Sequence, residues 1–227
     1  MCDDTPMRLR SSDLQKLAAE RLARLQGEGV ELHPVVNSTK KLATNFWGCA
    51  WMKQLACCES GGMCLAPGRT LLRHGCVLDI RLEPCAIHAL VSAQELYEVH
   101  LKLAPLDPER LEELSTACGN HIDSMLSLLE GKVDAAVLQQ LCDPETGLLP
   151  TPADWHMNCN CPDWAEPCPH AAAAIYAAGC IIDTAPQQLF SLRGITPADL
   201  LPQQAAEPAE LDTPALSSLF GIDIEIP

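Results

Sequence analysis

Aromatic residues are scarce in this chain of 227 residues: three Phe, two Tyr and four Trp. Bases are scarce too, 15 Lys and Arg against 30 Asp and Glu, for a net charge of −15. So acidic a surface repels a phosphate backbone, which argues against general nucleic-acid coating. No run of about 18 apolar residues occurs, so no segment reads as a membrane span. The acidic start Met1-Cys2-Asp3-Asp4 has neither the basic region nor the apolar core of a signal peptide, and the expected location is cytoplasmic. There is no G-x-x-x-x-G-K-[ST] loop for nucleotide phosphates, no H-E-x-x-H and no G-x-S-x-G. Carboxylate pairs such as Glu112-Glu113 fall on solvated helix faces. His74, His88, His100, His121 and His156 are scattered along the chain. No internal repeat is visible. These absences lead to the expectation that the protein is not an enzyme.

Cysteine, by contrast, is abundant at 13 residues. In a reducing compartment such thiols read as metal ligands and small apolar fillers rather than as disulfides. Three of them and a histidine fall in the run Cys159-Asn160-Cys161-Pro162-Asp163-Trp164-Ala165-Glu166-Pro167-Cys168-Pro169-His170. The spacing C-x-C-x₆-C-x-H supplies four soft donors, a complete set for one tetrahedral Zn²⁺. Four protein ligands leave no position for water, so the ion would hold structure rather than activate a nucleophile. The bland alternative is four buried or free side chains. Pro169 suits the first turn of a helix, and the Ala-rich stretch 171–178, closed by Gly179, reads as that helix. Cys168 then sits at its positive end, which favours a thiolate. A second site from Cys49, Cys57, Cys58 and Cys64 is conceivable, although adjacent thiols aim poorly at one ion. His156 reads as a surface or outer residue near the finger.

The rest of the chain divides into segments. Residues 1–32 carry an amphipathic helix, with a capping box at Ser12 and Gln15, apolar Leu14, Leu17, Ala18, Leu22 and Leu25, and Gly27 at its end. Residues 33–106 are β-rich. Period-two alternation from Gly75 to Leu103, with turns at Glu83-Pro84-Cys85 and Ser92-Ala93-Gln94, predicts a three-stranded antiparallel meander. Residues 107–147 show three short apolar stripes: Leu111, Leu114 and Cys118; then Ile122, Met125, Leu126 and Leu129; then Val133, Val137, Leu138 and Leu141. Residues 148–200 hold the finger and the segment after it. Residues 201–227 read as a flexible linker and an apolar tail able to dock on the protein or a partner. The expected fold class is α+β: an antiparallel meander, a small helical region and a ββα-like zinc finger.

Charge is unevenly placed. From Lys40 to Arg81 six bases face two acids, whereas from Val133 to Pro227 one base, Arg193, faces thirteen acids. Lys40, Lys41, Lys53, Arg69, Arg73 and Arg81 lie in the same stretch as Phe46, Trp47 and Trp51. That combination could be a stacking surface for DNA or RNA bases. The alternative is that the tryptophans anchor the core.

Several motifs resemble those of the bacterial SWIM zinc finger proteins. They are the C-x-C-x₆-C-x-H run with Cys-Pro-Asp-Trp-Ala, Asn45-Phe46-Trp47-Gly48-Cys49-Ala50-Trp51, Pro67-Gly68-Arg69, and Gly147-Leu148-Leu149-Pro150. After the finger come Asp183, Pro186, Leu189-Phe190 and Leu192-Arg193-Gly194. The similarity spans about residues 33–200. It implies zinc held by Cys159, Cys161, Cys168 and His170, and binding to DNA or protein, as an accessory partner of a helicase-like, SWI/SNF-type ATPase. Pro169 stands where the family usually has Lys, Leu149 where it has Phe, and fewer Arg precede Gly68; the missing cations weaken phosphate contact and leave the zinc ligands intact. The function this supports is a non-enzymatic zinc-binding interaction protein with a protein partner. The alternative is direct DNA or RNA binding through the basic and aromatic residues between 40 and 81.

Overall fold

A long alanine-rich helix organises the molecule. In the computed structural model, which describes residues 10–60 and 63–201, this helix spans Pro169–Thr184 and eleven of its residues are buried. The elements before it are α1 (Ser11–Gly27), α2 (Phe46–Ser60), α3 (Ala66–Arg73), β1 (Val77–Glu83), β2 (Ala86–Ser92), β3 (Leu96–Leu103), α4 (Pro108–Cys118), α5 (Met125–Glu130), α6 (Ala135–Leu141) and β4 (Trp155–Cys159). The long helix is α7, and α8 (Gln187–Leu192) follows it. The apolar tail and most of the linker foreseen after residue 201 lie outside the described residues.

The meander forms as the alternation predicts, and the sheet then gains a strand. Its order is β1-β2-β3-β4, antiparallel throughout. The fourth strand leads directly into the finger. The finger therefore has no separate hairpin: it contributes one strand and one helix to a sheet built mostly by the meander. Alternation in β3 sends Tyr97, Val99, Leu101 and Leu103 into the core and leaves Glu98, His100 and Lys102 exposed. Helix α7 contacts all four strands, with α2 and α3 packed against it as well. One hydrophobic cluster joins Ala18 of α1 to Leu200.

Small residues allow this density. The consecutive residues Ala171–Ala174 are fully or almost fully buried, and alanine fills an interior only if neighbours approach closely. Gly68 of α3 meets that demand, because its Cα faces the backbone of Ala172 and Ala173. Gly179 does the same for α2. It does not end the helix, as the sequence suggested. A Cβ there would overlap the Trp51 indole and Met52, so the glycine is a seat for tryptophan inside a continuous helix.

Trp47 and Trp51 are each 1% exposed. The indole N–H of Trp47 donates to the Leu128 carbonyl at 2.8 Å and that of Trp51 to the Ile175 carbonyl at 3.1 Å. Both are core anchors, which corrects the stacking role considered above: no ring face is left for a base.

Helix α1 packs on the protein's own core through Ala18, Leu14, Leu22 and Leu25. Its expected capping box does not form, because the helix starts earlier, with Arg10 at the N-cap and no side-chain bond to the first turn. Arg21, which the periodicity leaves off the apolar face, clamps the β2–β3 turn. It donates to Ser92 Oγ at 2.9 Å and to the carbonyls of Ala93, Gln94 and Glu95 at 3.0, 2.8 and 2.9 Å. Phasing also shifts in the helical region. Ser124 caps α5 by accepting the Ser127 N–H, which turns Leu128 inward and leaves Met125 and Leu126 exposed.

Asp183, in the last turn of α7, ties that helix to the start of α2. Its carboxylate accepts the N–H groups of Thr44 and Asn45 at 2.9 and 2.7 Å, and its carbonyl accepts the Asn45 side-chain amide at 2.7 Å. A carboxylate ahead of a helix N-terminus also meets the positive end of its dipole. Asp183→Ala is expected to destabilise the fold by about 1–2 kcal/mol, the usual cost of a lost cap, with Asp183→Asn closer to wild type. Thermal melts of the three proteins check this, and equal midpoints would refute the cap.

Candidate metal centre

The finger is assembled by the end of β4 and the start of α7. Cys159 is the last residue of β4 and lies opposite Val99 of β3. Asn160 continues the ladder irregularly: its N–H donates to the Glu98 carbonyl at 3.3 Å and its side-chain oxygen accepts the Glu98 N–H at 3.0 Å. This fixes the first ligand arm on the sheet. In the loop beyond, the Asp163 carboxylate accepts the Ala165 N–H at 3.0 Å. Cys168 is the N-cap of α7, where its sulfur accepts the Ala171 N–H at 3.4 Å, with Pro169 in the first turn. His170 follows one residue later, so the second arm is rigid because it belongs to a helix.

These two arms converge. The ligand atoms of Cys159, Cys161, Cys168 and His170 all lie within 4.8 Å of one another. His170 turns Nδ1 to the sulfurs, 3.9 Å from Cys159 Sγ and 4.0 Å from Cys168 Sγ. A tetrahedral zinc with its usual bond lengths separates sulfur from nitrogen by about 3.6 Å, so these two pairs need close by only a few tenths of an ångström. The S₃N donor set fits a soft or borderline divalent ion. Cys168 and His170 are buried, and Cys159 and Cys161 are partly covered.

Crowding of three thiols splits their acidities. The Cys168 thiol is pulled down to about 4, first by the hydrogen bond from Cys159, then by the His170 ring and the Ala171 N–H. Cys159 moves up, because sharing that hydrogen bond and being buried both favour its S–H form. Cys161 is also raised, chiefly by burial. A bound divalent ion would supply the charge that holds all three as thiolates.

Tyr97 is the supporting residue that motif reading missed. Its ring stacks on His170 with centroids 4.0 Å apart and planes 27° apart. The signal was present in the period of β3, which sends Tyr97 inward beneath the finger. His156, nearest the finger in sequence, is exposed and pairs in register with Lys102. The histidines are less scattered than the sequence suggests. Strand register sets His88 opposite His100, with their Nδ1 atoms 2.7 Å apart on the solvent face.

Among the described residues, the quartet is the one group of three or more His, Cys, Asp or Glu side chains arranged to hold a metal. Cys49, Cys57, Cys58 and Cys64 make no second centre: Cys58 is buried, and the other three are exposed. The filler role holds for Cys58, Cys76 and Cys118, which are all buried. The basic residues separate into three places. Lys40, Lys41, Arg69 and Arg73 line one concavity. Lys53 lines another, between α2 and α6. Arg81 lies on β1, where it pairs with Asp79 at 3.3 Å. Arg193, the single base after residue 132, is itself buried against Asp154 at 3.4 Å. No described helix is long and apolar enough to cross a membrane.

Among known proteins, the chain is similar to the uncharacterized protein Rv2102 of Mycobacterium tuberculosis, at 26% identity over 154 residues. The match covers 66% of this chain and 56% of that protein, so the chain spans little more than half the length of its relative. No family model and no solved structure matches it.

Proposed function

We propose that this chain is a non-enzymatic, zinc-binding interaction protein whose SWIM-type finger presents a loop to a protein partner. The observation that carries this is Trp164, 97% exposed in a chain that has only four tryptophans. Trp164 lies between Cys161 and Cys168, so the ion would pin its loop at both ends. Holding the loop rigid lowers the entropic cost of docking, and exposed tryptophan is the side chain most often found at the energetic centre of an interface. Four protein ligands on the ion favour a structural role over hydrolysis. The resemblance to SWIM proteins points to a helicase-like ATPase as the partner. The nucleic-acid alternative is weakened, because its two stacking rings lie in the core.

Trp164→Ala should keep one equivalent of zinc and the wild-type melting temperature. It should weaken the partner at least about 30-fold, the effect of losing a hot-spot side chain worth about 2 kcal/mol. The check is affinity purification of wild type and variant from the native cell, with and without nuclease. Wild type should retain a helicase-like ATPase that the variant loses. Equal recovery by both, or recovery by neither, would sink the proposal.

A further inference from the structure

A strongly acidic chain has gathered four of its few cations around one hollow. The concavity of about 450 Å³ is lined by Lys40, Lys41, Arg69 and Arg73, with the Tyr176 ring beside them. No carboxylate lines it. Two of the cations come from one face of α3, at positions four apart. The other two sit on a loop that is tied to itself. Asn37 donates to the Leu42 carbonyl at 3.0 Å and accepts the Thr39 N–H at 3.1 Å, while Cys180 donates to Leu42 from α7 at 3.5 Å. Like charges held together on rigid elements repel one another unless an anion joins them.

Partners for these charges are few. Arg69 is held over Tyr176, with its guanidinium carbon 5.0 Å from the ring centroid; it donates to the Tyr176 hydroxyl at 2.6 Å and pairs with Glu59 at 3.4 Å. Among the described residues, Lys40, Lys41 and Arg73 form no ion pair. Arg73 also keeps its Nε buried without any hydrogen-bond acceptor. That atom is closed off from solvent, so an oxyanion seated in the hollow would be met instead by the outer ends of Lys40, Lys41 and Arg73, through charge-assisted hydrogen bonds. The remaining wall is mostly apolar, from Leu42, Ala43 and Met52, with Thr44 and Cys49 beside them.

We propose that this hollow binds a phosphate-bearing small molecule of about nucleotide size. The phosphate lies among Lys40, Lys41 and Arg73, and the organic part rests on the apolar wall. The site is separate from the metal quartet and from Trp164, so it stands or falls independently of the partner-binding role.

The test is calorimetric titration of the full, zinc-loaded chain at low salt, using inorganic phosphate, adenosine monophosphate and a single-stranded dodecanucleotide as probes. Phosphate and the nucleotide should bind, the nucleotide more tightly, with affinity falling as salt rises. Arg73→Gln and Lys41→Gln, each shown to be folded by circular dichroism, should bind the nucleotide at least about tenfold more weakly, as loss of one charge-assisted hydrogen bond implies. Arg81→Gln, outside the hollow, should bind like wild type. Absence of binding by phosphate and nucleotide at millimolar concentration overturns the proposal, as does wild-type affinity in Arg73→Gln. Binding of the dodecanucleotide alone overturns the small-molecule assignment in favour of a polymer.

Discussion

Cys161→Ala and His170→Ala should each lose the metal ion that the quartet is arranged to hold and, with it, the cooperative unfolding transition of the whole protein. In an appended finger, ligand loss would melt a few residues. Here His170 opens α7, Cys168 caps it, and α7 fills the space between the sheet and two helices. Structural zinc contributes on the order of 10 kcal/mol or more at neutral pH. The net stability of an ordinary domain is about 5–15 kcal/mol. Removing a contribution of that size from the first turn of the central helix leaves little to hold the native packing. Metal content by atomic emission, near-ultraviolet circular dichroism and thermal melts would follow the effect, and chelation of the wild type should reproduce it. A variant that still carries one equivalent of zinc shows that its ligand is wrongly assigned. A variant that loses zinc yet melts cooperatively at the wild-type temperature shows that the ion is peripheral to the fold.

Gly68→Ala should have the second largest effect, although it adds only a methyl group. In an exposed helix the exchange stabilises by about 1 kcal/mol. At this position the new Cβ lands on the Ala172 carbonyl carbon, the Ala173 nitrogen and the Ala172 side chain. Those are largely backbone atoms of the central helix and cannot rotate away. Helix α3 must withdraw, which opens the packing around the buried residues Leu71 and Leu72. Overpacking of this kind costs about 3 kcal/mol. Chemical denaturation of the variant measures the change directly. A variant as stable as wild type would refute the backbone contact between α3 and α7 at Gly68.

Both predictions use residues that stand out in the sequence, but with different transparency. The quartet was legible because metal chemistry is local: four ligands within twelve residues need only a turn and a helix start to converge. The meander was legible because a half-buried strand repeats every two residues. Gly68 and Gly179 were visible as glycines, but their reasons were not. One looked like part of a motif and the other like a helix stop. Each is a point of contact with a segment about a hundred residues away, and periodicity does not report such distances. The same gap explains Trp47 and Trp51. Aromatic rings beside lysines suit a base-stacking surface and a core equally well, and packing against α5 and α7 decided between them.

Alone, the sequence determined the donor set, the meander, the helical segments and the uneven charge, because each is written in neighbouring residues. Tertiary structure decided that the finger's strand completes the meander's sheet, that its helix is the core of the molecule, and that Tyr97 stacks on His170. It also brought two pairs of cations, one from a loop and one from α3, to one hollow and left Trp164 outside. These are matters of long-range packing, in which the space one side chain occupies depends on backbone that comes from far along the chain.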